Sequence, residues 1–263
     1  MIDLKGLFDA YSRQARLYPA LLTLLPLLLT LLAWVPALVT IDQLLIGIAV
    51  ACGVLYFLSD VARTAGKRLE PKLLEEWGGW PTTIWLRHSD NHLSAEVKRR
   101  YHSFLSSRPA TAAMPTQEEE ERDPVSSDER YAASVMWLKE QCRGADFALV
   151  HRENAIYGFR RNLLGLKPIG VGICGIVLVA PLLITLARPG ASVSQLFRLL
   201  TEAYVTLPLP VFGALVVSVM GLAAWLFTVR RSWVREAGDL YARALLASCD
   251  VLVVPASNGS VSR

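Results

Sequence analysis

Long uncharged apolar runs alternate with charged stretches along this chain, and that alternation predicts its elements. No Asp, Glu, Lys or Arg occurs from Leu17 to Ile41, from Gln43 to Ser59, from Pro168 to Ala187, or from Ala203 to Val229. A helix needs about 20 mostly apolar residues to cross a hydrocarbon core of roughly 30 Å. Three of the runs meet that length, and residues 43–59 meet its lower limit. Four membrane spans are therefore expected. Pro26 should kink the first. Pro168 should occupy the first turn of the third, where its missing donor costs little. The first two runs are separated only around Asp42, which makes them an antiparallel hairpin; the last two make another. Gly47 with Ala51, and Ala49 with Gly53, form small-xxx-small pairs that permit close helix approach in lipid.

Between and around the spans the period is helical. In residues 1–16, Leu4, Leu7, Phe8 and Tyr11 share one face, with Lys5, Arg13 and Arg16 supplying charge. This pattern predicts an interfacial amphipathic helix. Leu69, Leu73 and Trp77 fall on one side of a helix that Pro71 should start late and Gly78-Gly79 should end. Pro81 opens a short element. Ser94 to Ser107 reads as a helix with Val97, Tyr101, Phe104 and Leu105 inward and Lys98 and Arg99 elsewhere. Residues 109–128, which include the acidic run Glu118 to Glu121, read as a mobile linker with at most one helical turn. Ser126 and Glu129 have capping-box spacing. The helix they open carries Tyr131, Val135, Leu138 and Cys142 on one stripe, with Gly144 as its stop. After Arg230 and Arg231, the residues Trp233, Ala237, Leu240, Tyr241, Ala244 and Leu245 repeat every 3.6 residues. Pro255 to Arg263 read as disordered.

The resulting fold class is all-α: a polytopic membrane protein with four transmembrane helices in two hairpins and a cytoplasmic helical domain. Its parts are an amphipathic helix (1–16), hairpin 1 (17–59), the helical domain (60–167) with its linker (109–128), hairpin 2 (168–229), and a C-terminal helix and tail (230–263). Composition agrees with this class: 53% of residues are hydrophobic and the mean hydropathy is +0.36. The net charge of +4 matters less than its distribution. Lys and Arg flank the spans at residues 5–16, 63–72, 160–167 and 230–235. The Asp42 link has none, and the link between the third and fourth runs has only Arg188 and Arg198. The positive-inside rule then puts both termini and the helical domain in the cytoplasm.

Candidate chemistry is sparse. Cys52, Cys142, Cys174 and Cys249 are too far apart for a CxxC motif, so a zinc ribbon or disulfide framework is not expected. His88, Asp90 and His92 could share a helix face toward a metal, but no third ligand accompanies them, and neither metal nor cofactor is expected. Lys and Arg nearly balance Asp and Glu across residues 60–167, with no basic stripe, which disfavours nucleic acid. The spans hold almost no ionisable group, which disfavours an ion-coupled transporter. The strongest candidate is the juxtamembrane stretch Asn154, Tyr157, Arg160, Arg161 and Lys167. Its Arg forks and its Tyr hydroxyl are directional donors for an anionic ligand or for lipid headgroups.

Two segments carry a resemblance: Trp77-Gly-Gly-Trp-Pro-Thr-Thr-Ile-Trp-Leu-Arg-His and Tyr157-Gly-Phe-Arg-Arg-Asn-Leu-Leu-Gly-Leu-Lys-Pro. Together they resemble a group of uncharacterised bacterial four-span membrane proteins, which implies architecture and no activity. The second is also similar to the juxtamembrane region of small helical effectors that accompany bacterial nucleotide-signalling defence systems. Those effectors have two spans where this chain has four. The expectation is a non-enzymatic inner-membrane protein: an oligomeric, membrane-permeabilising effector controlled by its cytoplasmic domain. A membrane scaffold for a cytoplasmic protein partner is the alternative, and a metal-dependent hydrolase built on His88 ranks behind both.

Overall fold

The computed structural model describes residues 10–34, 41–108, 113–187, 194 and 209–253. The described residues form helices joined by turns, with no strand among them. A helical turn at Ala10–Ser12 and a π-turn at Arg13–Leu17 lead into α1 (Tyr18–Trp34). Then follow α2 (Ile41–Trp77), α3 (Pro81–Ile84), α4 (Ala95–Ser106), α5 (Gln117–Arg122) and α6 (Pro124–Gln141). A 3₁₀ turn at Ala145–Phe147 precedes α7 (Ala148–Leu186). Helix α8 (Leu209–Ala223) ends in a second π-turn at Ala224–Thr228, and α9 covers Arg231–Val253. Four stretches are long and apolar enough to cross a membrane: Arg13–Leu31, Gly47–Ile84, Ala145–Ala180 and Val211–Thr228.

The chain forms two compact units, Met1–Glu70 with Gly158–Val234, and Pro71–Tyr157 with Arg235–Arg263. In the first, α8 packs along α1. The core is Ala20, Leu24, Leu58, Ala62, Leu163, Leu166, Cys174, Trp225 and Val229. Hydroxyls inside the apolar helices are satisfied locally. Thr23 and Thr30 donate to the carbonyls of Pro19 and Pro26 at 2.7 Å, and Ser218 does the same to Ala214. This back-bonding removes the cost of burying an unpaired hydroxyl.

Helices α2 and α7 approach each other backbone to backbone in this unit. A Cβ on Gly165 would sit 2.7 Å from Gly66 N and 2.8 Å from Ala65 C, so only a missing side chain lets the backbones meet. The small pairs at Gly47–Ala51 and Ala49–Gly53 are not at this crossing: Gly47 and Gly53 have nothing within 4 Å of a Cβ position, and Leu45, Val50 and Phe57 around them are exposed.

The second unit is built on Trp85, Leu86, Tyr101, Leu105, Tyr131, Leu138, Leu245 and Leu246. Each fully buried Leu contributes about 1.5–3 kcal/mol by leaving water. The stripe Tyr131, Val135, Leu138 and Cys142 is buried as its period implies. So are Ala237, Tyr241, Ala244 and Leu245 of α9, whereas Leu240 is 45% exposed.

Several boundaries differ from expectation. Pro168 does not open a span; it lies inside the 39-residue α7, because residues 148–167 have a buried face of their own (Val150, Ala155, Tyr157, Leu163). Likewise Pro71 lies inside α2, which runs through to Trp77. The expected linker is helical over Gln117–Arg122, where Thr116 and Glu119 form a complete capping box. That box, and Asp123 capping α6, replace the Ser126–Glu129 box: the Asp123 carboxylate accepts from Ser126 N at 3.1 Å. Gly144 has φ −70° and opens the 3₁₀ turn, while Cys142 caps α6. Leu4, Leu7, Phe8, residues 109–112, most of the link after Ala187 and residues 254–263 lie outside the described residues.

Candidate functional site

In the second unit the segment 77–92 is held by polar contacts on every side. Gly78 and Gly79 take positive φ (78° and 129°), a backbone region that L-residues with a Cβ avoid. They end α2 and turn the chain into Trp80, the extended cap of α3, with Pro81 in the first helical turn. Arg87 fixes this turn. Its Nη2 donates to Gly78 O at 2.7 Å, and its Nε and Nη2 reach both Asp128 oxygens at 2.8 and 2.6 Å. The Asp128 hydrogen bonds hold the Arg87 guanidinium pKa above its ordinary value.

The loop after Arg87 is clamped by two buried charges. Glu120 is 8% exposed. It accepts from His88 N at 2.8 Å, Ser89 N at 3.1 Å, Ser89 Oγ at 2.9 Å and Tyr131 Oη at 2.8 Å. Burial pushes its pKa up, but these four donors outweigh burial and leave it below the usual carboxylate range. The Tyr131 phenol is pushed up by burial and by that carboxylate. Lys98, which lies off the apolar stripe of its helix, is 6% exposed. Its ammonium donates to the carbonyls of Arg87 and Asp90 at 2.5 Å each, and to His88 O at 3.4 Å. Burial lowers its pKa.

The histidines are absorbed into the same clamp. His88 Nε2 lies 2.9 Å from Pro115 O, and His102 Nε2 lies 2.8 Å from Leu86 O. A carbonyl accepts, so both rings carry the proton on Nε2. His92 stacks on Trp85 at 5.0 Å and meets the Asp90 carboxylate at 2.8 Å. His88 and His92 lie in the turns between α3 and α4, not on a shared helix face. No cluster of three or more His, Cys, Asp or Glu among the described residues is placed to hold a metal.

The juxtamembrane residues divide between the units. Asn154 and Tyr157 belong to the second, where Tyr157 is buried with its ring 6.4 Å from Trp80. Arg160, Arg161 and Lys167 belong to the first. Arg160 donates to Trp233 O at 2.8 Å and lies over the Trp233 ring at 4.7 Å. Arg161, 9% exposed, meets Glu70 at 2.5 Å. Lys167 donates to Val229 O at 2.8 Å. Neighbouring Asn162, which the juxtamembrane set omits, is 1% exposed and donates to Ala15 O at 2.7 Å, inside the first π-turn. A π-turn loosens the regular carbonyl ladder, and side chains from α7 bond at or beside both of them.

Comparison with family models, curated proteins and solved structures gives no match.

Sequence reasoning missed Glu120, Lys98, Asp128 and Glu70. All four are ordinary surface residue types, and Glu120 is one of four consecutive glutamates. The capping box sets the phase of α5, and the donors on Tyr131, His88 and Ser89 decide that Glu120 is the one turned inward. What these arrangements do chemically is hold backbone: three cations and an amide from α4 and α7 donate to main-chain oxygens.

Proposed function

We propose that this chain is a non-enzymatic, multi-pass inner-membrane protein of bacteria, with two transmembrane hairpins and a cytoplasmic helical unit that controls membrane permeability. In this reading the first unit assembles with further copies in the bilayer and the second receives the signal. One observation carries it. Helices α2 and α7 each contribute residues to both units. A ligand or protein that rearranged the second unit would act on two of the apolar helices through their own backbones, a direct physical route between the two units. The scarcity of charge in the apolar stretches supports a poorly selective opening formed between helices.

The test is membrane potential, read with a voltage-sensitive dye, in cells and proteoliposomes carrying the full chain. Depolarisation that rises with protein abundance is expected. Proteoliposomes that stay tight, together with cells that keep their potential at high abundance, would overturn it.

A scaffold reading is favoured by one separate feature. An open groove of about 550 Å³ on the second unit is lined by Glu96, Arg99, Arg100, Ser103, Phe104 and Arg108, among others. Arg99 is paired with Glu96 and Arg100 with Asp250, so an acidic segment of a soluble partner would bind by exchanging with those carboxylates. Co-purification of one soluble protein, lost in Arg99→Ala, together with tight membranes, is the outcome that selects it.

A further inference from the structure

We propose that the first unit carries a specific site for an anionic phospholipid, with one acyl chain in an apolar groove and the headgroup phosphate on Lys167. This does not depend on the permeability reading, and failure of the dye experiment leaves it standing.

The groove has a volume of about 330 Å³, at the small end of ligand sites. Its wall comes from Leu22 and Pro26 of α1, Leu163 of α7, Val217 of α8, and Trp225 and Val229 at the second π-turn. The floor is buried: Leu163 is 6%, Trp225 5% and Val229 3% exposed. The mouth is open, with Leu22 47% and Met220 67% exposed. Every one of these residues except Val229 lies in a stretch able to cross a membrane, and Val229 directly follows one. The medium that meets the mouth is therefore acyl chain.

Two features of the sequence build the cavity. The π-turn directs the Trp225 indole onto Gly170, where a Cβ would come within 2.2 Å of the ring. Gly221 leaves the floor without a side chain: its Cβ position is 3.3 Å from Cys174 Sγ and 3.9 Å from Pro26 Cγ. From Val217 to Val229 the wall runs for about 18 Å at helical rise. One leaflet of a hydrocarbon core of roughly 30 Å is of that depth. The Lys167 ammonium sits at the Val229 end, using one donor on Val229 O. An ammonium has three donors, so a phosphate can accept from the others. Arg230 and Arg231 follow Val229 in the chain, adding charge of the same sign at that end.

The full chain is reconstituted in equal phosphatidylglycerol and phosphatidylcholine, extracted in mild detergent, and its retained lipid is counted by native mass spectrometry. One retained phospholipid per chain is expected, with phosphatidylglycerol favoured about fivefold, the preference one cation near the headgroups supplies. Lys167→Gln should keep a lipid but lose that preference. Val217→Phe fills the groove and should lose the lipid, whereas Ile176→Phe, at a position 65% exposed and outside the groove, should not. Equal retention in Val217→Phe and Ile176→Phe overturns the proposal, as does wild type that retains none. A photoreactive acyl chain on phosphatidylglycerol provides a reading on wild type alone. It should label residues 217–229 above residues 176–183, and equal labelling likewise refutes the site.

Discussion

Glu120 is the residue on which the second unit's polar architecture turns. Its carboxylate gathers two backbone amides, a hydroxyl and a phenol that would otherwise be buried without acceptors. Hydrogen bonds to a charged group contribute about 1.5–3 kcal/mol each, and a stranded donor costs a comparable amount. Glu120→Gln turns one oxygen into a donor facing donors. It should destabilise the unit by about 2–4 kcal/mol, with the His88 and Ser89 amides losing hydrogen-exchange protection first. Unchanged protection at those two amides would show that the loop does not depend on the carboxylate.

His102 gives the same region a pH dependence. Burial lowers its pKa, with His88, Lys98 and Glu120 also facing it. An unfolded His titrates near 6.5, so below roughly that pH the unfolded chain binds a proton that the folded chain resists. Stability is complete above that pH and falls as pH drops toward the lowered folded value. The Glu120 contribution, from a depressed carboxylate, is lost only at more acidic pH, below the unfolded carboxylate value of about 4.3. Thermal unfolding scans between pH 7.5 and 5 should show a decline that His102→Gln flattens, since Gln keeps a donor for Leu86 O and cannot titrate.

At the scale of elements, the α2–α7 crossing depends on what is missing. Gly165→Ala puts a methyl against the backbone of Ala65 and Gly66, which cannot rotate away, and should cost about 1–3 kcal/mol. Gly47→Ala meets nothing within 4 Å and should be neutral or stabilising by up to about 1 kcal/mol, as helix propensity alone dictates. Melting of both variants in detergent separates a packing site from an open face; equal effects would contradict the crossing. The same helix supplies a second check. Cys52 is exposed on α2 within the stretch Gly47–Ile84. If lipid covers that face, a charged, membrane-impermeant maleimide leaves Cys52 unlabelled in intact vesicles and labels it once detergent is added. Labelling before detergent would remove α2 from the bilayer.

For the whole molecule, the arrangement of charge predicts orientation. Lys and Arg crowd the flanks at 5–16, 63–72, 160–167 and 230–235, while residues 35–42 have none; Asp42, expected in a link, lies in the first turn of α2. A phosphatase fused at Asp42 should be active outside the cytoplasm, and one fused at Ser107 should be inactive. The reverse pattern would invert the protein and move the second unit, with its Arg-lined groove, to the other side.

The sequence by itself determined what local physics determines. Uncharged runs set which helices are apolar enough to cross a membrane. A 3.6-residue period set the buried faces of α4, α6 and α9 apart from Lys98, buried off the stripe, and Leu240, exposed within it. Adjacent glycines at 78 and 79 set the end of α2. None of these needs a distant partner. Only the tertiary structure decided the rest, because each case depends on residues far apart in sequence. Whether Pro168 begins a helix or lies within one depends on the packing of residues 148–167. Whether Glu120 or another glutamate of its run is buried depends on Tyr131 and the 88–89 amides. Which glycines mark a crossing depends on the facing helix: Gly66 and Gly165 have a backbone opposite, and Gly47 and Gly53 do not. Lys98 is expected from its period only to lie off the apolar face of its helix, and Lys167 to meet an anionic ligand or headgroups; both in fact donate to main-chain carbonyls, Arg87 O and Val229 O, a placement made by what folds against them.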